Sequence, residues 1–307
     1  MGNYQRAGHM DVSNTVDVTD VANVRAVVQA LLSARYPALD VDALQRLFQD
    51  FERLYSGRYP GFRACDIRYH DAQHVLDVTL AMARLLDGHH REHSGPERLS
   101  ADMALAGMAA ALFHDSGYIR RRRDTRQRSG AAYTRVHVSR GERFLKEFMP
   151  QVGLAHLMPL CTRIIHYTGY EVGPENFRLA EPTEHLLGSL LGTADLVAQM
   201  ADRDYLRKCR DYLYAEFVAA GLAQDKPGDQ PDTAVSADTL YRSPEQLLQR
   251  TPAFMLNAIE VRLNGYFNGV HRYLAVHFGG RHLYMDAINE NRRSLKLMLA
   301  AGRPTRP

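Results

Sequence analysis

The 307-residue sequence is poor in cysteine, has no tryptophan and contains no long apolar run. Its three cysteines, Cys65, Cys161 and Cys209, lie far apart, which excludes a disulfide framework and a cysteine metal cluster. No stretch reaches the roughly 20 apolar residues of a membrane-spanning helix, and the N-terminus lacks the apolar core of a signal peptide. We therefore expect a cytoplasmic protein with reduced thiols and no membrane partner.

The charge balance gives little support to nucleic-acid binding. The formal net charge is only +3, and outside one arginine run the acidic and basic residues are interspersed. A nucleic-acid interface instead needs basic residues on one continuous face, with exposed aromatic side chains for single strands. A small-molecule ligand is the better expectation.

Helical periodicity dominates what is present. Apolar residues recur at intervals of three and four, whereas alternating runs of Val, Ile and Thr are short, so the pattern predicts an all-α fold. We expect a flexible segment over residues 1–20, one helical domain over 21–301 and a projecting polar loop near 221–239. Ser243-Pro244 and Thr251-Pro252 both look like helix starts.

Histidine and aspartate residues interrupt the apolar faces of five predicted helices. A buried carboxylate beside imidazoles favours a divalent cation, which stabilises the charged carboxylate and accepts neutral imidazole as a ligand. Taken singly, each histidine could instead be a core residue bonded to a backbone carbonyl, and the last aspartate could cap a helix or pair with an arginine. Together they predict a metal site, formed by His74, His114, Asp115, His137, His166 and Asp195.

The order of these residues resembles that of the HD superfamily of metal-dependent phosphohydrolases, from about Tyr69 to Asp195. The resemblance implies a single HD-type helical domain in which His74, His114, Asp115 and Asp195 hold one metal. As in the binuclear branches of the superfamily, it implies a second metal held by Asp115, His137 and His166. The expected cofactors are thus two divalent ions, and the ligand types admit iron, manganese, zinc, nickel or cobalt.

The upstream motif Tyr69-His70-Asp71-x-x-His74 is similar to the Tyr-His-Asn-x-x-His motif of class I cyclic-nucleotide phosphodiesterases. The similarity implies that His70 is the general acid. A histidine one helical turn from a metal ligand can reach the leaving-group oxygen of a bound phosphate. That family continues its doublet as His-Asp-x-x-His, whereas here Ser116-Gly117-Tyr118-Ile119 follows the doublet and Asp71 replaces the Asn. Ile119 also replaces the proline of the HD-GYP motif.

The expected activity is therefore metal-dependent hydrolysis of a cyclic nucleotide or other small phosphodiester, with His70 and Asp115 as catalytic residues. A phosphomonoesterase or nucleoside polyphosphate hydrolase is the alternative enzyme. The alternative outside catalysis is an HD-fold module that binds RNA or another acidic partner.

An arginine run directly follows the His-Asp doublet. The segment 120–130 contains six arginines and one aspartate, and guanidinium groups bind phosphate oxygens in a bidentate manner. We expect substrate phosphate to be bound by Arg120, Arg121, Arg122 and Arg123. The alternative is an ordinary solvated loop.

Overall fold

The regular structure in the computed structural model is helical, which confirms the predicted all-α class. The structure describes residues 6–169, 171, 181–225 and 239–301, and within them β-structure is limited to three isolated bridges. The α-helices, in chain order, are α1 (Val21–Arg35), α2 (Val41–Tyr55), α3 (Ala72–Glu92), α4 (Ala101–Phe113), α5 (His137–Gln151), α6 (Met158–Ile164), α7 (Pro182–Ala201), α8 (Tyr205–Lys208), α9 (Tyr214–Ala219), α10 (Pro244–Asn257), α11 (Arg272–His277) and α12 (Leu283–Ala301). Two π-helical segments, Cys209–Leu213 and Ala258–Tyr266, join α8 to α9 and extend α10.

Helices α3, α4 and α7 form the centre of the molecule and contact one another. The sequence of α4 is apolar on every side, with ten consecutive buried residues from Ala104 to Phe113. A helix of this kind is stable only when neighbours surround it. Side-chain caps fix where two of these helices begin: Asp71 accepts the His74 amide at α3, and Ser100 accepts the Met103 amide at α4. His74 at the start of α3 and His114 at the end of α4 lie beside Asp195 of α7.

The N-terminal segment is more ordered than its composition predicts. Residues 6–20 lie against the helices, with Val16 and Val18 in the core, and residues 1–5 lie outside the described part of the chain. The buried Asp11 side chain accepts hydrogen bonds from the amides of Ser13 and Val16 and from Arg84 Nη2, the last at 2.5 Å. Polar composition suggested a loose chain because it did not reveal that one carboxylate satisfies both this backbone and a buried guanidinium.

Most of the loop predicted near 221–239 cannot be compared, because residues 226–238 lie outside the described residues. Just after it, the Leu240 amide donates to the Leu222 carbonyl at 2.7 Å.

The predicted helix start at Thr251-Pro252 is wrong, because α10 continues through Pro252. Pro252 lacks an amide hydrogen, and the Thr251 hydroxyl donates to the Leu247 carbonyl at 2.9 Å in this turn.

No helix among the described residues is both long enough and apolar enough to cross a membrane.

Candidate metal centre

Four of the predicted ligands converge where α3, α4 and α7 meet. His74 Nε2 lies 3.5 Å from Asp115 Oδ2 and 3.4 Å from Asp195 Oδ1. His114 Nε2 lies 3.2 Å from Asp115 Oδ2 and 4.0 Å from Asp195 Oδ1. All four side chains are buried. The ligand atoms of His74, His114 and Asp115 all lie within 4.8 Å of one another, which is close enough for one cation to contact all three.

Backbone carbonyls orient two of the imidazoles. His114 Nδ1 donates to the Ala111 carbonyl at 2.8 Å, and His137 Nδ1 donates to the Thr134 carbonyl at 2.7 Å. A carbonyl only accepts, so Nδ1 carries the proton and the lone pair of each neutral ring lies on Nε2. A partner on the second ring nitrogen is the usual way in which metal-binding histidines are oriented. In both residues Nε2 faces Asp115.

Two atoms of the cluster lack the partners that burial demands. His114 Nε2 and Asp115 Oδ2 are buried, and neither makes a hydrogen bond with the described residues despite their short separation. Buried polar atoms are nearly always paired, so an unpaired donor set of this kind marks a place for another group. Imidazole and carboxylate together suit a divalent transition metal. The residues present therefore fit the metal that the sequence predicts.

The electrostatics of the cluster are dominated by Asp115. Burial raises the pKa of this carboxyl, but the neighbouring His114 and His70 outweigh burial and hold it below its usual value. Burial lowers the pKa of His114, but the adjacent Asp115 carboxylate outweighs it and raises the pKa to about 9. Without a cation, His114 is thus protonated at neutral pH, and a metal must displace that proton in order to bind.

The predicted second set of ligands is only partly assembled. His137 Nε2 lies 3.8 Å from Asp115 Oδ1, and burial lowers the pKa of His137 toward the neutral form that binds metal. His166 faces elsewhere: its Nε2 lies 3.2 Å from Glu142 Oε2, while its Nδ1 is buried without a hydrogen bond in the described structure. The structure brings His137 to Asp115 and pairs His166 with Glu142, so the second metal stays a prediction.

His70, the predicted acid, is held by a residue that sequence reasoning missed. His70 Nδ1 donates to Glu216 Oε2 at 2.7 Å, and the other oxygen of Glu216 accepts the amides of Arg68 and Tyr69 at 3.0 and 2.6 Å. Burial lowers the pKa of His70, but the Glu216 carboxylate outweighs burial and raises it. The His70 ring also stacks on the Tyr118 ring, with ring centroids 4.6 Å apart, and this contact further fixes its orientation.

Tyr118 and Gly117 connect the doublet to His137. The Tyr118 ring also stacks on His137 with centroids 4.6 Å apart. At Gly117, a Cβ atom would fall 1.8 Å from the His137 carbonyl oxygen, so only glycine allows α5 to approach this closely. The Ser-Gly-Tyr sequence after the doublet therefore has a structural reason: it sets the distance between Asp115 and the start of α5.

The cluster opens into a cavity of about 500 Å³. Polar residues line part of it, including His70, His74, Asp115, His137 and Asp195. The lining also contains the apolar side chains of Leu213, Phe217, Leu222, Leu240 and Phe254. A cavity of this size encloses a ligand of mononucleotide dimensions and offers it both polar and apolar contacts.

The predicted phosphate-binding arginines lie elsewhere. Arg120 pairs with Asp66 at 2.6 Å, and Arg121 forms an ion pair with Glu147. Arg122 donates to two backbone carbonyls of the preceding 57–62 turn, and Arg123 is exposed. None of the four lines the described wall of the cavity, whereas Arg135 does. Local charge density revealed the run but not the partners that hold it away from the cavity.

No protein-family model matches the chain, and no curated protein matches it. The resemblance to HD phosphohydrolases accordingly remains a prediction that rests on the motifs quoted above.

Proposed function

We propose that the protein is a metal-dependent phosphohydrolase that cleaves a small phosphodiester, with a cyclic nucleotide as the first candidate. One observation carries the proposal: His114 Nε2 and Asp115 Oδ2 are buried without hydrogen bonds beside His74 and Asp195, and His74, Asp115 and Asp195 line a cavity large enough for a nucleotide. Unpaired buried polar atoms beside two further ligand-type side chains favour a bound cation.

In this proposal His74, His114, Asp115 and Asp195 hold a divalent cation, and Asp115 also faces His137. A bound divalent cation would supply Lewis acidity, which lowers the pKa of water and neutralises charge on phosphoryl oxygens. The protein supplies the negative charge of two carboxylates and two imidazoles, and a backbone carbonyl orients that of His114. It also supplies the burial that strengthens their electrostatic interactions.

His70 supplies the proton for the leaving group. Its Nδ1 donates to Glu216, so the proton available to a ligand is on Nε2, and the raised pKa favours that protonated form. Proton donation matters most when the departing oxygen is basic, as in an alkyl phosphodiester. Tyr118 and Glu216 hold the ring in one orientation, so the donor needs no rearrangement before the reaction.

The cavity favours one kind of substrate over the alternatives. Five large apolar side chains line it, and Arg135 is the one arginine among its described lining residues. A substrate with a single phosphate and an apolar or aromatic group suits this surface better than a nucleoside polyphosphate, whose extra charges would need further cationic partners. This asymmetry supports the phosphodiester over the polyphosphate alternative.

The test is a turnover screen on protein stripped with a chelator and reloaded with manganese, iron, zinc, nickel or cobalt. Cyclic mononucleotides, cyclic dinucleotides, nucleoside triphosphates and bis(p-nitrophenyl) phosphate serve as substrates. We expect a phosphodiester to be hydrolysed only after reloading. Metal analysis of the reloaded protein distinguishes one bound ion from two.

Three variants separate the roles of the residues. His74→Ala and Asp115→Ala should lose both metal and turnover, whereas His70→Ala should keep the metal and lose turnover most severely on substrates with basic leaving groups. Glu216→Gln should keep the metal and lose part of the rate. Wild-type protein that folds but binds none of the five metals would overturn the proposal, and metal loss in His70→Ala would make that residue a ligand.

A further inference from the structure

A second concave surface lies far along the chain from the metal ligands, between α10 and α12. This groove has a volume of about 730 Å³ and is lined entirely by those two helices. Its members are Pro252, Met255, Leu256, Asn289, Arg292, Arg293, Leu295, Lys296, Leu299 and Ala300. None of the metal-centre residues lines it, so it is a separate surface.

The floor and one wall of the α10/α12 groove are apolar. Met255 and Leu295 form a fully buried floor, while Leu256 leaves 51% of its surface exposed. Leu297 and Met298 of α12 are 71% and 45% exposed but do not line the groove. An exposed apolar side chain next to a buried apolar floor is typical of a surface that another molecule covers.

The rim carries only positive charge. Arg292, Arg293 and Lys296 line the groove, and no aspartate or glutamate is among its described lining residues. Within the described structure these three side chains take part in no salt bridge, and Arg292 donates only to Asn289 at 3.2 Å. Their positive charge lines the groove, and it favours an occupant with carboxylates beside an apolar row.

We propose that the α10/α12 groove binds an amphipathic helix of a partner protein, with a row of large apolar side chains flanked by aspartate and glutamate. Binding of a helix in a groove uses apolar anchors spaced at three and four residues, which match a floor formed by two packed helices. Acidic residues on either side of the anchors would pair with Arg292, Arg293 and Lys296.

Other occupants fit less well. A bilayer surface is broad and cannot reach the fully buried Met255 and Leu295 at the floor of a groove, although the basic rim would attract anionic lipid. The chain's own last residues, 302–307, carry Arg303 and Arg306 and no acidic residue, so their charge repels the rim. A helix with complementary acidic charge satisfies both the floor and the rim.

The test uses a fluorescein-labelled 18-residue peptide with leucines at three- and four-residue spacing and glutamate and alanine elsewhere. A matched peptide replaces every glutamate with lysine. Fluorescence anisotropy should show saturable binding of the acidic peptide and at least about tenfold weaker binding of the basic one. Leu256→Glu and the triple variant Arg292→Glu, Arg293→Glu, Lys296→Glu should each weaken binding of the acidic peptide at least about tenfold.

The control reverses three exposed arginines elsewhere, Arg46, Arg126 and Arg242, and should bind the acidic peptide as the wild type does. His114→Ala should also bind it normally, so the result is independent of the metal centre. Equal binding of both peptides, or equal loss in the control triple variant, would overturn the proposal. So would binding to phosphatidylserine vesicles without peptide binding, or a dimer that dissociates on Leu256→Glu.

Discussion

The buried Asp11–Arg84 pair permits a quantitative prediction about stability. Burial raises the pKa of Asp11, but Arg84 and hydrogen bonds from Ser13 and Val16 outweigh burial and lower the pKa from 3.8 to about 2. A shift of that size corresponds to about 2 kcal/mol of stability at neutral pH. Because the folded-state pKa is depressed, this contribution is complete above about pH 4 and is lost as the pH falls toward 2. About half of it should be gone at pH 3.

Asp11→Asn removes this contribution and leaves Arg84 buried without its carboxylate. Breaking a buried pair on one side costs about 3–5 kcal/mol, so the variant should unfold at a clearly lower urea concentration at pH 7. At pH 3 the difference in the free energy of unfolding between wild type and Asp11→Asn should be smaller by about 1 kcal/mol. Asp42→Asn, at an exposed position in the first turn of α2, is the control and should change stability by less than about 0.5 kcal/mol. Equal midpoints for wild type and Asp11→Asn at pH 7, or a difference that does not narrow in acid, would refute the reasoning.

Three further outcomes are expected. Gly117→Ala should destabilise the fold by about 1–3 kcal/mol in urea unfolding and weaken metal binding, because its Cβ would collide with the His137 carbonyl. Gly265→Ala is the control: a Cβ there makes only an ordinary 3.6 Å contact, so stability and metal binding should not change. Replacing Arg120–Arg123 with glutamine should leave KM unchanged and lower the melting temperature, because these side chains bond to the protein. Arg135→Gln should raise KM, because Arg135 lines the cavity. The opposite pattern in steady-state kinetics would show that the arginine run binds the substrate phosphate. Metal binding near pH 7 should release close to one proton from His114, and the affinity for the metal should rise up to about pH 9. Titration calorimetry in buffers of different ionisation enthalpy measures the number of protons released.

The sequence was sufficient for the helical class and for the convergence of residues distant in the chain. Periodicity placed His74, His114 and Asp195 on inward faces, and the structure brings them together. Inward orientation is a local property of a helix, so it can be predicted before the packing is known. His70, which was predicted as an acid rather than a ligand, lines the same cavity and pairs with Glu216, and its role stays a prediction.

The features that escaped prediction depend on contacts between segments far apart in the chain. Glu216 lies 146 residues from His70 in the chain. The segment around it has the pattern of an ordinary amphipathic helix, so no local signal marks Glu216. His166 shares an inward face with the other ligands, but the choice between Asp115 and Glu142 is made by the packing of α5. The pairing of Arg120 with Asp66 likewise depends on a loop 54 residues earlier.

The position of Glu216 along the chain has a consequence for biosynthesis. Every candidate metal ligand precedes residue 196, whereas Glu216 and the apolar wall from Leu213 to Phe254 are translated later. A growing polypeptide therefore carries every candidate metal ligand before it carries Glu216, the partner of His70. A chain that ended after α7 would have all the proposed metal ligands and would lack the carboxylate that orients His70.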